Sequence, residues 1–124
     1  MIDWRGYCNG ARDLQIDGSS VVVTLGQARQ HRVHVEPMAD ALELSSVVAR
    51  RSVVDQFDDT AVAAWQRNRG ASLVGFRIDD RGRLVGESWV PGPGLTAEEF
   101  QIYVRSVAAA CDLFEFHLTG KDRE

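Results

Sequence analysis

The chain has 124 residues, a formal net charge of −4, 44% hydrophobic residues and 26% charged residues. That length fits one domain, 1–124, with enough interior for a real core. The composition excludes disorder as the main state, and the acidic balance argues against a partner held through nucleic-acid phosphates. The charge is uneven: residues 1–54 hold six Arg against six acids, and residues 55–124 hold eight basic residues against twelve acids. Cys8 and Cys111 are isolated, with no CxxC, so no disulfide framework is expected. No run approaches the roughly 18 apolar residues of a membrane span. No secretory leader is expected either, and a cytoplasmic, reducing setting is the simplest expectation.

The first twelve residues, MIDWRGYCNGAR, allow one short helical turn through Ile2, Trp4, Tyr7 and Cys8, weakened by Gly6 and Gly10. Asp17-Gly18 is a turn signal, and VVVTL at 21–25 reads as a strand. After a turn at GQA comes RQHRVHVE, with His31, Val33 and Val35 on one face and Arg32, His34 and Glu36 on the other. PMAD turns the chain again, and ALELSSVVA gives a third strand with Leu42 and Leu44 on one face. Short connections between three strands predict an antiparallel meander.

Then the period changes. Asp58, Asp59 or Thr60 can cap a helix over AVAAWQRN, with Val62, Trp65 and Phe57 at helical spacings and Gly70 as its C′ residue. LVGFRID returns to period two, with Val74, Phe76 and Ile78 together. DDRG at 79–82 is a hairpin turn. In RLVGESWV, one face carries Leu84, Gly86, Ser88 and Val90, small in its middle, which would let a helix approach closely; Val85, Glu87 and Trp89 take the other. PGPG at 91–94 stops that strand, and Thr96 with Glu99 forms the capping box of a last helix.

That helix is doubly apolar. Phe100, Tyr103, Val104, Val107, Cys111, Phe114 and Leu118 form one stripe, and Ile102, Ala109, Leu113 and Phe116 form a second nearly opposite. Gln101, Arg105, Asp112 and Glu115 fill a polar sector between them. Either the helix runs to Thr119 with Gly120 as C′, or it ends near Ala110 and LFEFHL is a strand, since Phe114, Phe116 and Leu118 also alternate. A second apolar face on a surface helix predicts a cover, such as another subunit or a bound partner.

The fold class expected is α+β: a twisted antiparallel sheet (β-meander plus C-terminal hairpin) with a short middle helix and a long C-terminal helix packed on one face. This order resembles the YbjN-like proteins and the class I type III secretion chaperones of the CesT/Tir-chaperone type. The resemblance covers residues 18–120. It is carried by AAWQRN, whose Asn68 sits where such a helix commonly closes, by the hairpin LVGFRIDDRGRLVGESWVP, and by GLTAEEFQIYVRSVAAACDLFEF. The chaperones have a long N-terminal helix, where this chain offers only IDWRGYC. The resemblance implies a non-enzymatic binding module, often dimeric, that holds a partner protein's extended segment against apolar patches.

Candidate chemistry is sparse. His31 and His34, three apart on a strand, point to opposite faces and cannot share a metal. His117 lies far away in sequence. Asp58-Asp59 and Asp79-Asp80 fit a cap and a turn, and Glu98-Glu99 fit a helix first turn. Cys111 reads as a buried small hydrophobe; Cys8 reads as the more exposed thiol. GPG at 92–94 is no phosphate loop, because its prolines remove N–H donors. No cofactor, metal, nucleic acid or membrane is expected. The residues expected at a partner or homodimer interface are Trp89, Ile102, Ala109, Leu113 and Phe116. Of Trp4, Trp65, Trp89, Phe114 and Phe116, most are expected in the core, with an interface role for Trp89 and Phe116 as the alternative. An acidic inhibitor of a toxic enzyme, of immunity or antitoxin type, is the alternative function.

Overall fold

The computed structural model describes residues 2–26, 29–57, 59–70 and 73–119. Six strands form one sheet: β1 (Leu14–Asp17), β2 (Ser20–Thr24), β3 (Gln30–Pro37), β4 (Ala41–Ala49), β5 (Gly75–Ile78) and β6 (Leu84–Pro91). Their order is β1-β2-β3-β4-β6-β5, and every pairing is antiparallel. The helices are α1 (Arg51–Val54), α2 (Thr60–Gly70) and α3 (Ala97–Thr119), with a 3-10 turn at Trp4–Cys8. The architecture is the α+β arrangement expected, with one more strand. The meander has four strands, because LQID pairs with β2 ahead of the Asp17-Gly18 turn.

Period-two patterning explains the sheet. Val21, Val23, Val33, Val35, Leu42, Leu44, Leu84 and Val90 all point to one face and are buried. Ser46 lies on that buried face, and its hydroxyl donates to the Arg32 carbonyl at 2.6 Å. α3 lies across this face and contributes Phe100, Val104, Val107, Ala108, Cys111 and Phe114, all essentially without exposure. The helix therefore runs through LFEFHL to Thr119, and the strand alternative is excluded. Trp4 closes the core at one end, stacked on Phe100 at 6.2 Å between ring centroids.

The small middle of β6 seats the helix. A Cβ on Gly86 would stand 2.4 Å from Cys111 Sγ and 2.9 Å from Phe76 Cε1. The PGPG crossover is as tight. Pro91 is still paired with Ala41, so the strand ends one residue later than its chemistry predicts. Gly92 donates its N–H to Asp40 O at 2.8 Å, and a Cβ there would meet that same carbonyl oxygen at 2.6 Å. The capping box is present: Glu99 N–H donates to Thr96 Oγ1, and Thr96 N–H to Glu99 Oε1, both at 3.2 Å.

Several expectations change. Gly70 is the last residue of α2 rather than a residue beyond it. Asp59 takes the N-cap position, since its carbonyl accepts the Ala63 N–H at 2.9 Å. Asp58, Gly120 and the Gln27-Ala28 part of the GQA turn lie outside the described residues. Val62 and Trp65 face solvent, and α2 turns Ala64 and Thr60 inward instead. What ties α2 to the sheet is Asn68. Its side-chain amide donates to Phe76 O at 2.9 Å and accepts Phe76 N–H at 2.7 Å. One residue thus does for edge strand β5 what a neighbouring strand would do. Cys8 is buried, not exposed.

Candidate protein-binding surfaces

Three of the four sides of α3 are engaged. One stripe faces the sheet. The polar sector reaches the N-terminal half of the chain on successive turns. Gln101 donates to Tyr7 O at 2.7 Å, Arg105 holds Asp13 through Nε at 2.7 Å and Nη2 at 2.9 Å, and Asp112 pairs with Arg29. On the other flank Arg67 of α2 contacts His117 and lies over the Phe114 ring. The fourth side is left to solvent and carries the expected Ile102, Ala109, Leu113 and Phe116, all exposed. The stripe extends over about four helical turns, interrupted by Ser106 between Ile102 and Ala109.

Trp89 is not part of that surface. Residues 84, 86, 88 and 90 of β6 face α3, so Trp89 projects from the opposite face of the sheet, 60% exposed, across from Glu43 on β4. The five expected interface residues therefore fall on two opposite sides of the molecule. A third apolar site, not legible in the sequence, is formed by Trp65 and Val62 on α2, with Trp65 59% exposed beneath the Arg69 guanidinium. Apolar spacing on a short helix signalled a buried face, but small residues and Asn68 dock this helix. Of the five large aromatics considered for the core, Trp4 and Phe114 are in it; Trp65, Trp89 and Phe116 are not.

The free side of the sheet is mostly polar. Arg32–Asp17, His34–Glu36 and Arg77–Glu87 pair along it. Where β3, β4 and the β5–β6 turn meet, an open groove of about 790 Å³ is lined by Arg32, His34, Ser45, Val47, Arg81 and Arg83, together with His31 and Glu115. Arg83 is held by Asp79, whose Oδ1 also accepts the Arg81 and Arg83 N–H groups.

Chemically the described residues offer little nucleophilic or acid–base machinery. Burial pushes the Cys111 thiol up to about 12, and its Sγ lies 3.8 Å from the Ser46 carbonyl. Burial raises Cys8 as well, against the nearby Arg105 charge. Hydrogen bonds from Arg105 hold the Asp13 carboxyl below the usual range. Burial lowers the His31 imidazole. His31 and His34 do not converge, as expected, but His31 meets Asp112 and Glu115, 81 and 84 positions further on.

The family described as YbjN, a putative bacterial sensory transduction regulator, matches residues 9–119. No curated protein sequence matches. Among solved structures, YbjN from E. coli, a putative transcription regulator, superposes with a TM-score of 0.63 at 14% identity, over 94% of this chain and 88% of that one. A chain of the heterodimeric ExoU–SpcU complex from the Pseudomonas aeruginosa type III secretion system gives 0.60 at 17% identity, over 95% and 97%. A chain of the Yersinia pestis complex of type III secretion chaperone SycH with a YscM2 fragment gives 0.57 at 10%, over 87% and 92%. At such identities the likeness establishes the shared fold. With the family pattern running through four-strand meander, hairpin and long helix alike, this chain belongs to the YbjN family.

Proposed function

We propose that this chain is a non-catalytic protein-binding module that acts as a homodimer in the cytoplasm and holds a segment of a partner protein against apolar surface. The observation that carries the reading is the outer stripe of α3: a helix anchored on three sides keeps Ile102, Leu113 and Phe116 about half exposed on the fourth. Isolated apolar residues on a surface are ordinary, whereas an aligned row is a place for another surface. The ExoU–SpcU and SycH–YscM2 structures are complexes with protein partners, which supports a binding role for the shared fold. Two buried, free cysteines fit a reducing compartment.

The test is the double variant Leu113→Asp, Phe116→Asp. Both side chains are half exposed, so monomer stability should change by only about 0.5 kcal/mol. Light scattering after size exclusion should show the dimer lost, and pull-down from the native host should show the partner lost. A variant that keeps both the oligomeric state and partner capture refutes the reading. Weak salt dependence of capture separates apolar docking from the acidic-inhibitor alternative.

A further inference from the structure

Away from the α3 stripe, His31 on β3 meets Asp112 and Glu115, which lie three residues apart on α3. One ligand atom from each lies within 4.8 Å of the others, the one such cluster among the described residues. We propose that His31, Asp112 and Glu115 form a binding site for a divalent first-row transition metal ion.

The donor set fits that chemistry. One imidazole and two carboxylates are ligands for ions such as Zn²⁺ and Mn²⁺, bound at about 2.0–2.2 Å. Ligand atoms already this close need only side-chain rotation to converge. The supporting shell is also in place. The Val47 backbone beside the His31 ring favours the protonated imidazole, against the larger effect of burial. Asp112, nearly buried, pairs with Arg29 through Oδ2. A carboxylate has two oxygens, so an ion pair through Oδ2 is compatible with a ligand bond from Oδ1.

Charge and access agree. Among the cluster's own ionised groups two carboxylates face the single Arg29 guanidinium, which favours a cation. Of the three arginines lining the groove, Arg32 is matched by Asp17 and Arg83 by Asp79, while Arg81 adds one positive charge at the groove wall. His31 and Glu115 line the open groove, so an ion has an entry path and water can complete its coordination. A bound ion would bridge β3 to the last turns of α3, pinning the helix to the sheet.

Isothermal titration of the full chain with Zn²⁺ alone tests this. One Zn²⁺ per chain is expected, with Mg²⁺ unable to compete. Glu115→Gln should weaken binding by at least about tenfold, and His31→Gln likewise. His34→Gln, in the same groove wall, should leave it unchanged. His31→Gln could disturb the fold, so Glu115→Gln decides independently. Zn²⁺ should raise the melting temperature of the unaltered chain and not that of Glu115→Gln. Absence of a saturable site, Glu115→Gln binding like the unaltered chain, or loss on His34→Gln instead overturns the proposal.

Discussion

Gly86→Ala tests how closely α3 sits on the sheet. The added methyl would lie 2.4 Å from Cys111 Sγ and 2.9 Å from Phe76 Cε1, more than 0.5 Å inside the roughly 3.5–4 Å of comfortable contact. Neither neighbour retreats easily. Cys111 has no exposure, and Phe76 is set edge-on against Phe114 with ring centroids 4.9 Å apart. Overpacking of this kind costs about 1–3 kcal/mol, which lowers the melting temperature of a domain this size by about 4–12 °C. Cys111→Ala alone leaves a small cavity and should cost about 1–2 kcal/mol. In Gly86→Ala, Cys111→Ala the new methyl occupies the space the sulfur gave up. The double variant should therefore be more stable than the sum of the singles by about 1–2 kcal/mol. Urea unfolding followed by circular dichroism reads all four corners of the cycle. If Gly86→Ala is neutral, or if the two changes simply add, the close seat of the helix is wrong.

Two further predictions concern single contacts. Asn68→Ala leaves the Phe76 N–H and carbonyl without their partner, and should cost about 1–2 kcal/mol. Amide exchange should quicken at Phe76 well before it does at Val33 or Leu44; uniform exchange would count against the clamp. Asp13→Asn should show a pH signature. Arg105 lowers the Asp13 carboxyl in the folded chain, so its contribution is present above the ordinary value of about 4 and is lost as pH falls through the folded value. The pair is partly exposed, with side chains 42% and 37% accessible, which limits the effect to about 1 kcal/mol or less. Urea midpoints of Asp13→Asn and the unaltered chain should differ at pH 7 and converge near pH 2. A gap of constant size would mean the ion pair contributes nothing.

Where side chains alternated or recurred at helical spacing on a buried element, the sequence was readable: β2 to β4, the β5–β6 hairpin and both stripes of α3 stand where the pattern predicts. The misses have physical causes. β1 is four residues long at the sheet edge, and Ile16, though on the same face as Leu14, is left partly exposed, so one buried residue, Leu14, shows no period. α1 is a single turn without a buried residue. α2 reverses the usual logic, exposing Val62 and Trp65 while Ala64 and an asparagine make the contacts. The exposed stripe of α3 was legible because period alone separates two faces. Its separation from Trp89 was not, because only the sheet's pleat says which side β6 turns to the helix. The His31, Asp112 and Glu115 cluster was out of reach, since it exists only where β3 passes beneath a helix some 80 residues later in the chain.

Asn68 has a consequence for assembly. An antiparallel sheet with two open margins can grow indefinitely, one copy beside the next, and that is the geometry of a fibre. Here the β5 margin is occupied at Phe76 by the chain's own amide group, which leaves β1 as the margin at which another strand could align. A tile with one joinable side can meet one other tile and then has nothing more to offer. Pairing through the sheet would therefore terminate at two copies, and the residue that sets that limit is one polar side chain on a helix whose large apolar residues face the solvent.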